Sequence, residues 1–464
     1  MAAQKDRKDN ENILAAAVAT LGCKVNQCES AGIAEALVAR GIKIVSFNEK
    51  ADVYIINTCT VTGRTDYQSR QLVGRAIRKN PEAMILVTGC YAQRAPQELS
   101  SLAGVHFVIG NAEKELIPDI LLKTEKSSPM FLSNGDDNFC SNLGKNQILV
   151  GNIRREKAFS PLGASIFPEH TRAFLKIQDG CDAFCSYCIV PYTRGTSRSL
   201  PAEETMQKMA RLAANGYREI VLTGIHLGAW GRDLHPPFSF TSLLGEIVEK
   251  RLVERLRLSS LEPREVTPGL ISLIRDSDMI CPHLHLSLQS GSDQILALMR
   301  RNYDTAFFRE LVLTLHSAIP GLAIGIDVIA GFPGETEEEF AKTLRLIEEL
   351  PLAYLHAFPF SSRPGTPAAT MPGQIADNIK KNRVHLLREA GAVKRCNFAK
   401  RFLGKPLKVL IERRTDKGTG LPTGFSENYL TVAVRGGEAK VNSIVSVVPD
   451  SLEGERLIAN ATTH

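Results

Sequence analysis

Residues 180–188 read Gly-Cys-Asp-Ala-Phe-Cys-Ser-Tyr-Cys, which places Cys181, Cys185 and Cys188 in a C-x3-C-x2-C pattern. Spacing this close lets one loop present three sulfurs to a single metal centre. Zinc is the usual occupant of clustered cysteines, but structural zinc takes four protein ligands. The loop holds no fourth cysteine or histidine; His170 and His226 are the nearest histidines. An iron–sulfur cluster with one iron left open fits three thiolates better.

A second set of cysteines is spread along the first third of the chain. Cys23 follows Leu21-Gly22, Cys59 follows Asn57-Thr58, and Cys90 follows Thr88-Gly89. Each comes just after an apolar run. Three unrelated loop thiols would be the plain alternative, since a free cysteine is often only a small hydrophobe. The repeated placement argues instead for one shared site, and three thiolates again suit a cluster with an open iron. Cys28, Cys140, Cys281 and Cys396 have no partners at ligand spacing and are read as thiols outside both sets.

The elements that must position these residues follow from hydrophobic periodicity. Leu14–Leu21, Val53–Asn57, Met84–Val87 and Val105–Ile109 read as buried strands, with helical patterns at Glu29–Arg40, Tyr67–Lys79 and Glu113–Leu122. Apolar strands alternating with helices predict βαβ units and a parallel sheet. Cys23, Cys59 and Cys90 then fall at the carboxyl ends of the strands, the edge where open α/β sheets bind ligands. The segment Lys123–His170, rich in Ser, Asn, Gly and Pro, reads as mostly linker with at most one hairpin.

Six more strand candidates follow: Ala173–Ile177, Glu219–Thr223, Leu256–Ser259, Leu284–Leu288, Ile324–Ile329 and Tyr354–Phe358. Helical stretches such as Ala202–Asn215 and Glu335–Glu349 lie between them. Six β/α units predict an incomplete TIM-like barrel, with its site at the carboxyl ends of the strands. The Cys181 loop follows the first of these strands. Tyr187, Gly224, Glu262, Gln289, Ser290, Asp327 and Arg363 fall on or near the same rim. At Gly224 a missing side chain would let a cofactor approach the backbone.

From Lys380 to Lys408 ten basic residues stand against one acid, Glu389. Such a run is often only a solvated helix face. Here it precedes three strand candidates, Leu407–Glu412, Leu430–Val434 and Ser443–Val448, with glycines at the turns. A small β-barrel beside a basic helix suits nucleic acid, the basic groups meeting phosphates without reading sequence.

Bulk properties agree with a multidomain globular protein. The chain has 464 residues, is 44% hydrophobic and 23% charged, and carries a net charge of +6. The apolar stretch Ile13–Leu21 follows Asp6, Asp9 and Glu11 rather than the basic flank of a signal peptide. A cytoplasmic location is expected, with no membrane partner. Ten cysteines in such a compartment point to metal rather than disulfides.

The Cys181–Cys188 loop, with Tyr187 before its last cysteine, resembles the radical-SAM superfamily. Taken together, both cysteine sets and nearly the whole chain resemble the radical-SAM methylthiotransferase family. The resemblance implies a three-cysteine amino-terminal domain, a radical-SAM partial (β/α)6 barrel and a small carboxyl-terminal TRAM-like β-barrel. On this sequence the divisions are 12–126, a linker over 127–166, 167–398 and 399–464. It implies two 4Fe–4S clusters, one on Cys23, Cys59 and Cys90 and one on Cys181, Cys185 and Cys188. It implies S-adenosylmethionine at the second, with Tyr187, Gly224, Glu262, Gln289 and Asp327 as candidate contacts. Reductive cleavage there would give a 5′-deoxyadenosyl radical that activates carbon 2 of an adenine, a position with no acidic proton. The catalytic residues beyond the ligands are left unassigned.

The stretches 21–27, 57–62, 88–93 and 179–199 are most similar to the branch that modifies threonylcarbamoyladenosine in tRNA. Sister branches act on isopentenyladenosine in tRNA or on an aspartate of a ribosomal protein. A cluster-containing RNA-binding protein without activity is the non-enzymatic alternative. The expected partners are tRNA, an electron donor of flavodoxin or ferredoxin type, and a sulfur source.

Overall fold

The computed structural model describes residues 14–126, 147–167, 170–436 and 439–461. Cys140 and the first half of the expected linker, residues 127–146, lie outside them. The chain divides into two compact units, 1–60 with 64–153 and 61–63 with 154–464.

The first unit is a six-stranded sheet. Its strands are β1 (Ala15–Thr20), β2 (Lys43–Val45), β3 (Val53–Thr58), β4 (Met84–Gly89), β5 (Phe107–Ile109) and β6 (Gln147–Leu149), in the order β2-β1-β3-β4-β5-β6. All neighbours pair in parallel. The four long apolar runs of the sequence are β1, β3, β4 and β5. A fully buried β3, with Tyr54 and Ile56 on one face, packs with Val73 and Ala76 of the helix Gly63–Lys79. Burial of each large apolar side chain is worth roughly 1.5–3 kcal/mol, so this contact holds the helix on that face of the sheet. Of the stretch read as linker, the described residues Gln147–Leu149 form β6, a parallel edge strand beside β5.

The second unit begins with β7 (Ala173–Lys176), β8 (Gln178–Asp179) and β9 (Arg198–Ser199). It continues with β10 (Glu219–Thr223), β11 (Arg255–Leu258), β12 (His283–Gln289), β13 (Ala323–Ala330) and β14 (Tyr354–Pro359). Parallel ladders join β7, β10 and β11, and likewise β12, β13 and β14. Isolated parallel bridges Leu256–Ile280 and Leu261–Leu286 connect the two groups. The result is the expected run of six parallel strands alternating with helices. β8 and β9 form a separate antiparallel pair that flanks the cysteine loop.

A helix over Asp377–Lys400 leads into a closed barrel of β15 (Leu407–Thr415), β16 (Pro422–Ser426), β17 (Thr431–Arg435), β18 (Ile444–Glu453) and β19 (Arg456–Ala461). The expected boundary at 398/399 falls inside this continuous helix. β16 and β19 were not among the expected strands. β16 contains Pro422 and Gly424, residues that read as a turn in sequence.

The small barrel seals the amino-terminal end of the parallel strands. Glu219, the first residue of β10, pairs with Arg255 at 2.8 Å and Arg257 at 2.7 Å. Arg257 also donates to the carbonyls of Ser426 at 3.1 Å and Glu427 at 3.0 Å. Below them, Arg172 lies 4.7 Å from the Phe425 ring centroid and pairs with Glu412 at 3.0 Å. Among the described residues no helix is long and apolar enough to cross a membrane.

Candidate active site

In the first unit the three cysteines lie where the sheet ends. Cys23 caps the helix Lys24–Val38, Cys59 follows β3, and Cys90 opens the helix Cys90–Arg94. Cys23 is exposed, while Cys59 and Cys90 are buried. Gly22 has φ +96°, and a side chain there would come within 2.8 Å of the Cys59 sulfur. A glycine before Cys23 is therefore what lets the first and second loops meet.

Side-chain amides and hydroxyls tie the loops together. Asn26 donates from Nδ2 to the carbonyls of Leu21 at 2.7 Å and Thr58 at 3.1 Å. Asn57 donates to the Asn26 carbonyl and to Ser30 Oγ, both at 3.0 Å. The Thr58 hydroxyl donates to the Thr88 carbonyl at 2.5 Å, reaching the third loop. Asn111 places Nδ2 3.9 Å from the Cys90 sulfur. Beside Cys59, Thr60 donates to Asp66 at 2.6 Å, and Arg94 pairs with Asp66 at 3.1 Å. Buried polar groups this well connected make a rigid frame.

In the second unit the loop 180–188 leaves β8. Its root is an ionic knot: Asp179 accepts from Arg194 at 3.2 Å and Lys176 at 3.4 Å, all three buried. Cys181 N donates to the Gly195 carbonyl at 3.0 Å, and Ser186 N donates to the Met299 carbonyl at 3.1 Å. Tyr187 packs against Ile295, Met299, Phe332, Phe360 and Ala368, so this aromatic anchors the loop to the barrel.

The sulfurs are surrounded by donors. Ala183 N lies 3.4 Å from the Cys181 sulfur, His226 Nδ1 lies 3.4 Å from it, and Arg301 Nη1 lies 3.1 Å from the Cys185 sulfur. Such contacts favour negative charge on sulfur. Burial, with a smaller contribution from the nearby Cys185 and Cys181, pushes the Cys188 thiol up to about 12. Burial alone would lower the His226 imidazole, but Cys181 and Glu265 outweigh it and raise it to about 10. Three convergent thiols, few other ligands and cationic donors fit a three-cysteine cluster better than a closed zinc site.

The remaining rim residues separate into groups. Glu262 contacts Arg301 and caps the short helix Pro263–Glu265. Gln289 ends β12 at φ +65°, where the β12–β13 register shifts. Such a backbone for a non-glycine residue is uncommon and concentrates at functional sites. The space above Gly224 is taken by Gln178, whose side chain would lie 2.9 Å from an added Cβ. This glycine thus already has a packing reason within the protein. Ser290 is buried beside Thr343, and Arg363 is buried with its carbonyl accepting from Thr366. Asp327 lies inside β13, contacting His285 at 3.0 Å and His356 at 3.4 Å.

Arg301, Glu265 and the frame residues Asn26, Asn57 and Asn111 were not singled out in the sequence. His226 was noted there only as one of the two histidines nearest the loop; it follows β10 and meets Cys181 in space.

The basic run is also redistributed. Arg383 is buried against Glu335 at 2.8 Å and contacts Glu337 at 2.5 Å, and Lys394 donates to the carbonyls of Glu348 and Leu350. Lys381, Arg388, Lys400, Arg401, Lys405 and Lys408 are exposed.

Comparison with known proteins gives the family of the chain. Residues 175–347 match the Radical SAM superfamily, and residues 15–110 match the uncharacterized protein family UPF0004. The threonylcarbamoyladenosine tRNA methylthiotransferase MtaB of Bacillus subtilis (strain 168) is 40% identical over 433 residues, 92% of each chain. Its namesake from Aquifex aeolicus (strain VF5) is 38% identical over 92% of this chain and 98% of its own. A tRNA-2-methylthio-N(6)-dimethylallyladenosine synthase from Pelotomaculum thermopropionicum is 31% identical over 95% of both. The fold is shared with the radical S-adenosylmethionine methyltransferase TsrM from Kitasatospora setae, at TM-score 0.55 and 15% identity over 77% of each chain. Two cysteine sets at two sheet edges and full-length relatedness lead to one conclusion: the chain belongs to the radical SAM methylthiotransferase family.

Proposed function

We propose that this protein transfers a methylthio group to carbon 2 of threonylcarbamoyladenosine in tRNA, giving the 2-methylthio derivative. The observation that carries this reading is the higher identity, over nearly the full chain, to relatives named for that substrate (40% and 38%) than to the dimethylallyladenosine synthase (31%). The exposed basic groups around the helix Asp377–Lys400 and the closed barrel suit an RNA partner.

Cys181, Cys185 and Cys188 would hold one 4Fe–4S cluster, and Cys23, Cys59 and Cys90 a second. When bound, these groups and S-adenosylmethionine supply reductive cleavage of the sulfonium and the sulfur that is methylated and transferred. The chain's own residues supply the setting. Arg301 and the Ala183 N–H lower the cost of charge on the Cys185 and Cys181 sulfurs. Tyr187 fixes the loop on the barrel. Tyr187, Gly224, Glu262 and Gln289 stand at carboxyl ends of strands and are the candidates for contact with S-adenosylmethionine. Asp327, the remaining candidate, sits deeper, inside β13 between His285 and His356. An electron donor of flavodoxin or ferredoxin type and a sulfur source complete the reaction, in the cytoplasm.

The test is an anaerobic reaction of the reconstituted protein with S-adenosylmethionine, a low-potential reductant and tRNA carrying threonylcarbamoyladenosine. Digestion and mass spectrometry should show the 2-methylthio nucleoside. Product only on isopentenyladenosine, or only on a ribosomal protein, would overturn the substrate assignment.

A further inference from the structure

Alternate residues of adjacent parallel strands share one face. On β14, Leu355 and Ala357 are buried, and Leu355 lies against Gly391 of the helix Asp377–Lys400. Tyr354, His356 and Phe358 therefore face the other way, into the barrel. Tyr354 Oη lies 3.1 Å from His285 Nδ1 and 2.8 Å from His283 Nε2, which confirms that face for β12 as well. Asp327 pairs in register with His356.

Within this lumen the polar groups are ordered. Both His285 Nε2, at 3.0 Å, and His356 Nδ1, at 3.4 Å, close on the same oxygen of Asp327. Burial alone would raise the Asp327 carboxyl, but the two imidazoles outweigh it and hold it well below the usual carboxylate range. An ionised Asp327 thus orients the His356 ring with Nδ1 inward. The His285 side chain is only 8% exposed, whereas that of His356 is 50% exposed, so its Nε2 edge is open to the lumen. Phe358, one step nearer the rim on the same face, is 44% exposed with its ring centroid 6.4 Å from that of His356. An open aromatic face stacks on a nucleobase with little regard to its identity. An open imidazole edge beside it discriminates by what the base carries.

We propose that His356 is a specificity-determining residue that binds the carboxylate of the threonylcarbamoyl group while the adenine stacks on Phe358. This rests on the functional reading above and deepens it. Held between Asp327 and the substrate carboxylate, the ring keeps Nδ1 on Asp327 and presents Nε2 to the substrate. Asp327 and His285 are positioning residues that set the ring. An isopentenyl group has no acceptor to offer Nε2, so a base that covers His356 without one leaves this donor unpaired and is rejected.

The test uses anaerobically reconstituted holoenzyme and two anticodon stem-loop RNAs. They differ only in whether the threonylcarbamoyl carboxylate is free or a neutral methyl ester. The wild type should bind the free acid about ten- to hundredfold more tightly, the range for one charge-assisted hydrogen bond. His356→Phe should bring the ratio of the two dissociation constants to about one, and His356→Arg should keep the acid preference. Cluster content and thermal melting report whether each variant is intact, and His356→Gln replaces His356→Phe if the latter does not fold. A His356→Phe protein that keeps the acid preference, or a wild type without one, overturns the proposal. Failure of the wild type to bind either RNA overturns the functional reading itself, and this inference with it.

Discussion

Arg301 holds Nη1 3.1 Å from the Cys185 sulfur, and its other terminal nitrogen contacts Glu262. Its own position is fixed by Tyr303, whose hydroxyl lies 3.3 Å from Nε and donates to the Leu288 carbonyl at 2.9 Å. A guanidinium in that place stabilises negative charge on the sulfur set. Arg301→Met should keep the iron content of the protein but shift the reduction potential of one cluster to more negative values. Reductive cleavage of S-adenosylmethionine should fall by about tenfold or more, the range for losing one hydrogen bond to a charged group. Redox titration followed by electron paramagnetic resonance checks the shift; an unchanged potential contradicts the role.

The two cysteine sets should be separable. Cys59→Ala should retain reductive cleavage but form no methylthio product, with iron falling from about eight to about four per chain. Cys185→Ala should lose cleavage altogether while keeping the other cluster. Anaerobic iron and sulfide analysis beside a 5′-deoxyadenosine assay reads both. Methylthio transfer by Cys59→Ala, or zinc in the intact protein, contradicts the division of labour.

Glu219 gives a pH prediction. Burial alone would raise its carboxyl, but Arg257 and Arg255 outweigh that and lower it to about 2. Its unfolded value is about 4.3. The folded state therefore gains stability that is fully present above that value and is lost as pH falls toward 2. Glu219→Gln leaves Arg255 and Arg257 buried without their shared counter-charge, a loss of about 3–5 kcal/mol. Thermal melting at neutral pH should drop, and the wild-type loss of stability between about pH 4.3 and 2 should flatten. Equal acid sensitivity in the two proteins contradicts the assignment.

RNA binding should depend on the exposed subset of the basic run. Reversing Lys400, Arg401, Lys405 and Lys408 to Glu should weaken tRNA affinity by at least about tenfold and reduce its salt dependence, since phosphate contacts release counterions. Arg383→Ala should instead lower stability with the salt dependence unchanged. Truncation at Lys405 is a poorer probe, because Arg255 and Arg257 would lose their carbonyl partners and Tyr354 and Phe398 would lose their cover.

The parallel strands and the placement of cysteines at their carboxyl ends were legible because their signals are local. An apolar run ending in a cysteine, or three cysteines in one loop, carries its meaning in a few residues. Arg301 and His226 were not legible, because each reaches its sulfur from another strand's loop and nothing in Arg300-Arg301 or Gly224-Ile225-His226 announces a partner. β6 was hidden by polar flanks and β16 by Pro422 and Gly424, whose turn chemistry was overridden by barrel closure. Arg383 looked like its basic neighbours, and only the buried Glu335 distinguishes it.

The central claim is tested most directly in cells. Nucleosides from tRNA of a strain lacking this protein should contain threonylcarbamoyladenosine without its 2-methylthio derivative, while 2-methylthio-isopentenyladenosine is unchanged, and the intact gene should restore the missing product. Persistence of 2-methylthio-threonylcarbamoyladenosine in a strain with no second enzyme for it, or loss of the isopentenyl product alone, would contradict the account.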